Sequence, residues 1–170
     1  MYVKAIPVNA TPRGHARTSA IVGTLALAAA SLGIIATTAT TAEAAGSGAV
    51  TGYQGMCLDD YDASSADGAK VDLYTCNNSS AQQWTVESNG TLQVFGMCMD
   101  VNGGNTTNGT VVDLYTCNGT GAQDWMAQPS GDLVNPQSGK CLADSGDGGS
   151  GTQVVIYDCS GASDQKWTIP

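Results

Sequence analysis

Lys70–Trp84 reads KVDLYTCNNSSAQQW, Val111–Trp125 reads VVDLYTCNGTGAQDW, and a looser version, QVVIYDCSGASDQKW, occupies Gln153–Trp167. Each segment carries a Tyr two places before a Cys and closes on Gln-x-Trp. Upstream of each lies a further cysteine. Cys57, Cys98 and Cys141 are 41 and 43 positions apart, Cys76, Cys117 and Cys159 are 41 and 42 apart, and so are Trp84, Trp125 and Trp167. Landmarks that keep one period define a repeat, and a repeat of this length is an architectural signal. Its boundaries fall at about residues 49–90, 91–131 and 132–170.

Within each repeat, short apolar runs such as VDLYTC, TVVDLYTC, TQVVIYDC and TLQVF alternate with turn-forming clusters such as SADG, NGGNTTNG and SGDGGSG. That punctuation predicts short strands, and no helical periodicity follows Ala45. The chain is expected to be all-β, with about four strands per repeat and the three units closed around a shared centre. Paired cysteines within a repeat lie 19, 19 and 18 positions apart. Six cysteines allow 15 pairings, and threefold repetition favours Cys57 with Cys76, Cys98 with Cys117, and Cys141 with Cys159. The three tryptophans, one per repeat in an apolar strand, are expected in the core.

The segment before the repeats has another character. Lys4, Arg13 and Arg17 precede an apolar stretch from Ala20 to Ala36, and Ala42-Glu43-Ala44 follows as a small-residue site. This is the order of a secretory signal peptide over residues 1–44, leaving 45–170 as one domain. The stretch is near the shortest that spans a bilayer, but Gly23, Thr24, Ser31 and Gly33 dilute it. A secreted, extracellular product also suits the even cysteine count.

Composition restricts the chemistry. Beyond residue 45 the only basic residues are Lys70, Lys140 and Lys166, against all of the chain's 15 carboxylates except Glu43. Nucleic acid and anionic membranes would repel such a domain. The single histidine, His15, and both arginines lie in the leader. Ser-His-Asp and Cys-His catalysis and ordinary zinc sites are therefore closed to the domain. A glycosidase-type carboxylate pair needs a cleft that nothing in the sequence selects. The acidic loops lack the spacing of an EF-hand, so no metal and no cofactor is expected.

The in-register Gln-x-Trp motifs (Gln82-Gln83-Trp84, Gln123-Asp124-Trp125, Gln165-Lys166-Trp167), with the cysteine pairs and the preceding tyrosines, resemble the ricin B-type lectins, also classed as family 13 carbohydrate-binding modules. The resemblance covers about residues 49–170. It implies a β-trefoil of twelve strands, six in a short barrel and six in hairpins that cap it, with up to one shallow sugar site per repeat. It also assigns residues. An Asp two places after the first cysteine anchors sugar hydroxyls, here Asp59 and Asp100, by charge-assisted hydrogen bonds. The stacking aromatic is Tyr74, Tyr115 or Tyr157, whose ring covers the apolar face of a sugar. Asp72 and Asp113 stand where Gln is frequent. Gln82, Gln123 and Gln165 support the site, and Asn77 and Asn118 follow the second cysteine within reach of a ligand.

Departures from the pattern are informative. Ala81, Ala122 and Asp164 replace an Asn that is common before Gln-x-Trp. The third repeat reads CLAD, placing Ala143 at the anchor position and Asp144 one place late, and it carries Val155 and Ser160. The first two repeats are expected to bind, and the third to be structural or weak. The function implied is non-catalytic recognition of galactose-type or xylan-type glycans, either as a free-standing lectin or beside separate glycoside hydrolases. The alternative is an interaction protein, since trefoils also serve as protease inhibitors and protein ligands.

Overall fold

A computed structural model describes residues 46–146 and 148–170. The signal-peptide reading of residues 1–44 lies outside the described residues. Eleven strands form one continuous hydrogen-bonded sheet. They are β1 (Ser47–Gly48), β2 (Cys57–Asp60), β3 (Ala69–Tyr74), β4 (Trp84–Val86), β5 (Leu92–Val94), β6 (Met97–Val101), β7 (Thr110–Thr116), β8 (Met126–Ala127), β9 (Leu133–Asn135), β10 (Lys140–Asp144) and β11 (Thr152–Tyr157). Single 3-10 turns punctuate them, including one at each Gln-x-Trp: Ser80–Gln82, Gly121–Gln123 and Ser163–Gln165.

The architecture is a β-trefoil. The last strand of one repeat pairs with the first of the next, as β4 with β5 and β8 with β9. The ring closes through Thr51, which bridges both Cys57 and Thr168. The twelve family strands thus become ten strands and two single-residue bridges, with β1 an extra piece paired on β4. Closure there demands close contact, because a Cβ on Gly52 would lie 2.4 Å from a ring carbon of Trp167. Only glycine permits that approach.

Hairpins β2–β3, β6–β7 and β10–β11 cap the barrel and meet around the axis through β3, β7 and β11. Gly68, Gly109 and Gly151 immediately precede the inner strands at φ of +83, +82 and +89°, and their N–H groups donate to Leu114, Ile156 and Leu73 carbonyls of neighbouring repeats. A left-handed residue is needed at all three places, which explains the repeated glycine. At the axis the Gln153 Nε2 donates to the equivalent carbonyls of Val71, Val112 and Val154 at 2.9, 2.7 and 3.1 Å.

The core follows from strand alternation. It is built of equivalent triplets: Val50, Leu92 and Leu133; Leu58, Met99 and Leu142; Val71, Val112 and Val154; Leu73, Leu114 and Ile156; and the three tryptophans. Each indole Nε1 donates to a carbonyl, Leu58, Met99 or Leu142, at 2.9, 3.0 and 2.9 Å. Burial of a Leu-sized side chain contributes about 2 kcal/mol, and satisfying each indole N–H removes the penalty of burying it. The cysteine pairs join as Cys57–Cys76, Cys98–Cys117 and Cys141–Cys159, closing each capping hairpin on itself.

Candidate functional site

Exposure separates the aromatic residues into two sets. Trp84, Trp125 and Trp167 are at most 6% exposed, whereas Tyr74, Tyr115 and Tyr157 are 44, 43 and 49% exposed. The tryptophans build the core and the tyrosines present rings at the surface. Each tyrosine stands at the end of a hairpin's second strand, paired with the first cysteine of its repeat: Tyr74 with Cys57, Tyr115 with Cys98, Tyr157 with Cys141.

Beside each tyrosine lies a shallow depression. The first, about 390 Å³, is lined by Asp59, Asp60, Tyr61, Asp62, Tyr74 and Asn77 among others. The second, about 470 Å³, has Asp100, Gly103, Gly104, Tyr115, Asn118 and Gln137 in its wall. The third, about 650 Å³, includes Ala143, Asp144, Val155, Tyr157, Asp164 and Gln165. Asp59 with Tyr74 and Asn77, and Asp100 with Tyr115 and Asn118, are therefore brought together as the sequence predicts.

The Gln-x-Trp glutamines hold these depressions in shape. Gln82 accepts a hydrogen bond from the Asn77 N–H at 2.9 Å and donates to the Thr75 carbonyl at 3.1 Å. Gln123 repeats this with Asn118 and Thr116 at 2.8 and 3.1 Å, and Gln165 with Ser160 and Asp158 at 2.8 and 2.9 Å. All three glutamines are buried. Their fixed amides replace backbone pairing in the turn after the second cysteine, where no strand partner is at hand. The Asn77 Oδ1 accepts from the Ser79 N–H, and the Asn118 Oδ1 from the Thr120 N–H and hydroxyl.

Asp72 and Asp113 stand behind the depressions rather than in their walls. Asp59 faces Asp72 across the hairpin, and Asp100 faces Asp113. Asp72 is ion-paired with Lys70 at 3.1 Å, and Asp113 accepts from the Asn102 amide at 2.6 Å. Burial raises the pKa of Asp59 and Asp100, and hydrogen bonds from Gln82 and Gln123 oppose that rise. Burial likewise raises Asp72 and Asp113, opposed by Lys70 and Asn102. These donors favour the ionised form, the one that accepts from hydroxyl groups.

Asp144 pairs with Val154, the register position of Asp60 and Val101, so it is one place removed from the anchors. Its Oδ1 accepts the Gly146 N–H at 3.0 Å. At the anchor register the third repeat instead pairs Ala143 with Val155.

Sequence reasoning missed Asp60. It is 0% exposed, and neither carboxylate oxygen accepts a well-formed hydrogen bond. Burial pushes its carboxyl up to about 6, assisted by Asp59, Asp72 and Asp62 and offset only in part by the Ser64 backbone. The available signal was register: the second Asp of Cys57-Leu58-Asp59-Asp60 falls where the second repeat has Val101.

Among the described residues, three shallow depressions, each with an exposed tyrosine, mark the three repeats of the β-trefoil. The ricin-type beta-trefoil lectin domain matches residues 46–167, and the chain belongs to that family. Among solved structures it is similar to the agglutinin from Abrus precatorius, at 24% identity and a TM-score of 0.69, with 74% of this chain and 48% of that one covered. A non-toxic homologue of type II RIPs from Momordica charantia (bitter gourd), solved in complex with α-methyl-D-galactoside, is 28% identical at a TM-score of 0.68, covering 73% and 47%. The designed threefold-symmetric protein ThreeFoil is 29% identical at 0.65, covering 71% and 95%. The chain thus spans about half the length of the first two. The family and its lectin neighbours support carbohydrate binding in general.

Proposed function

We infer that this protein is a secreted, non-catalytic carbohydrate-binding protein that recognises galactose-type or xylan-type glycans through its first two repeats. The observation that carries the reading is the juxtaposition, twice in one register, of a buried anchoring carboxylate and an exposed tyrosine on one depression: Asp59 with Tyr74, and Asp100 with Tyr115. A pyranose laid on either ring would offer its apolar face to the tyrosine and two hydroxyls to the carboxylate. With the Oδ1 atoms of Asn77 and Asn118 engaged by their own turns, the donor half of each amide is left for a ligand oxygen. The similarity to a structure holding α-methyl-D-galactoside favours a galactose-type ligand.

Shallow sites bind weakly one at a time. Two sites on one rigid trefoil gain by effective concentration on a polymer, where a flexible tether of the right span adds a factor of roughly 10²–10⁴. Such a protein suits a role beside separate glycoside hydrolases that act on the same polysaccharide. The test is calorimetric titration with lactose, galactose and xylo-oligosaccharides, beside the double variant Asp59→Ala, Asp100→Ala. Binding heat in the wild type that disappears from the folded double variant is expected. Silence of the wild type towards all three ligand types refutes the reading and moves the trefoil to the protein-binding class.

A further inference from the structure

Asn118 lines the second depression and is followed by Gly119 and Thr120, all three exposed. An asparagine before a glycine is open to loss of its side-chain amide, because glycine has no Cβ to shield its backbone nitrogen from the asparagine Cγ. The described residues hold four such pairs: Asn89-Gly90, Asn102-Gly103, Asn108-Gly109 and Asn118-Gly119. The fold treats them differently.

In the first three pairs the reacting groups are tied. The Gly90 N–H donates to the Glu87 carbonyl and the Gly109 N–H to the Ile156 carbonyl, both at 2.9 Å, so neither nitrogen is free to attack. Asn108 is also held by Asp158, its Nδ2 donating to Oδ2 at 2.7 Å and its Oδ1 accepting the Asp158 N–H at 3.0 Å. Asn102 donates its Nδ2 to Asp113 Oδ2 at 2.6 Å, a charge-assisted bond that loss of the amide would break.

Asn118 has the opposite arrangement. The Gly119 N–H meets no acceptor among the described residues. The Asn118 Oδ1 accepts both the N–H and the hydroxyl of Thr120, at 2.9 and 2.7 Å. Two donors fixed on a carbonyl oxygen stabilise the negative charge it gains when a nucleophile adds to its carbon. The other repeats lack this combination. Asn77 accepts from the Ser79 N–H and is followed by Asn78, whose side chain shields the next nitrogen, and the third repeat has Ser160-Gly161, with no amide to lose.

We propose that Asn118 is a self-modification site, at which the second depression converts its own asparagine to aspartate or isoaspartate. The Gly119 nitrogen gives its proton to hydroxide and bonds to the Asn118 Cγ. The Cγ–Nδ2 bond then breaks, and the nitrogen takes a proton from water and leaves as ammonia. The five-membered succinimide so formed is opened by water at either carbonyl. In sum, an amide and one water become a carboxylate and an ammonium ion, with no other reactant.

Each product damages the site. Aspartate replaces the amide donor by a second carboxylate in the depression that already holds Asp100. Isoaspartate adds a methylene to the main chain and displaces the N–H that Gln123 Oε1 accepts at 2.8 Å. The first depression is untouched, so a two-site binder ages into a one-site binder and loses avidity for a polymer. That consequence rests on the carbohydrate-binding reading above, whereas the conversion itself does not.

The test is to export the protein to a bacterial periplasm, where its disulfides form, to incubate it folded at mildly alkaline pH, and to follow each asparagine by peptide mass spectrometry. Aspartate and isoaspartate are expected at Asn118 at least roughly tenfold faster than at Asn89, Asn102 or Asn108, a small part of what one fixed oxyanion donor contributes in enzymes. Thr120→Val, which removes the hydroxyl at an exposed position, slows the conversion. Equal rates at all four pairs, an Asn118 that stays intact, or Thr120→Val converting as fast as the wild type overturns the inference. A second arm compares fresh protein, aged protein and Asn118→Asp in NMR titrations with galactose. Loss of the response around Tyr115 with that around Tyr74 retained is expected, and an undiminished response around Tyr115 in converted protein overturns the proposed ageing of the site. Silence of the fresh protein towards sugar would sink the carbohydrate reading and leave the modification to be judged by mass alone.

Discussion

Replacing Asp60 by Asn should make the protein more stable at neutral pH and remove part of its pH dependence. The Asp60 carboxyl is fully buried without a well-formed partner, and its pKa is pushed from 3.8 up to about 6 by burial, with Asp59, Asp72 and Asp62 adding to the rise. A group whose folded pKa lies above its unfolded one stabilises fully below the unfolded value, and that stabilisation is lost as pH rises through the folded value. For Asp60 the loss therefore falls between about pH 4 and pH 6. The full difference corresponds to at most about 3 kcal/mol. Water in the adjoining depression reduces the expectation to on the order of 1 kcal/mol. Guanidinium unfolding at pH 4.5 and pH 7.5, disulfides intact, measures it. The wild type should lose more stability than Asp60→Asn between the two, and Asp60→Val, which copies Val101, should gain the most at pH 7.5. Identical pH dependence in the wild type and Asp60→Asn would refute the reasoning.

Other variants test the supports. Gln123→Met keeps the volume but strands the Asn118 N–H and the Thr116 carbonyl. It should cost about 1–3 kcal/mol, from two part-buried hydrogen bonds lost at ~0.5–1.5 each, and should weaken sugar binding at the second repeat, both measurable by denaturation and calorimetry. Gln153→Leu removes the amide shared by Val71, Val112 and Val154. A loss of about 1–3 kcal/mol is expected, with sugar titrations unchanged because Gln153 lines none of the three depressions. The pair Cys98→Ala, Cys117→Ala opens a loop of sequence separation 19 and should lower stability by about 3 kcal/mol in chemical denaturation.

Most of the fold was legible because its information is periodic. Cysteine, tyrosine and Gln-x-Trp landmarks repeat at one spacing, and that spacing led to the three hairpins, their disulfides and the tryptophan core. The ends of the ring were less legible. Strands reduced to single bridges at Thr51 and Thr168 leave no apolar run to read, and their closure depends on Gly52 lying against Trp167, a contact between residues far apart in sequence. Asp59, Asp100 and the tyrosines could be placed by offset from a cysteine. Asp60 could not, because a second Asp in a polar stretch reads as turn chemistry until strand pairing shows that it points inward. The third depression was hidden for another reason. The sequence records that Ala143 and Val155 lack carboxylates, and only the folded surface shows the space they leave.

The most direct measurement is a crystal structure of the protein with lactose or xylobiose at saturating concentration. The account predicts a sugar ring stacked on Tyr74 or Tyr115, with hydroxyl oxygens within about 3 Å of Asp59 or Asp100. Both sites empty, or the sugar seated away from these tyrosines, would contradict it.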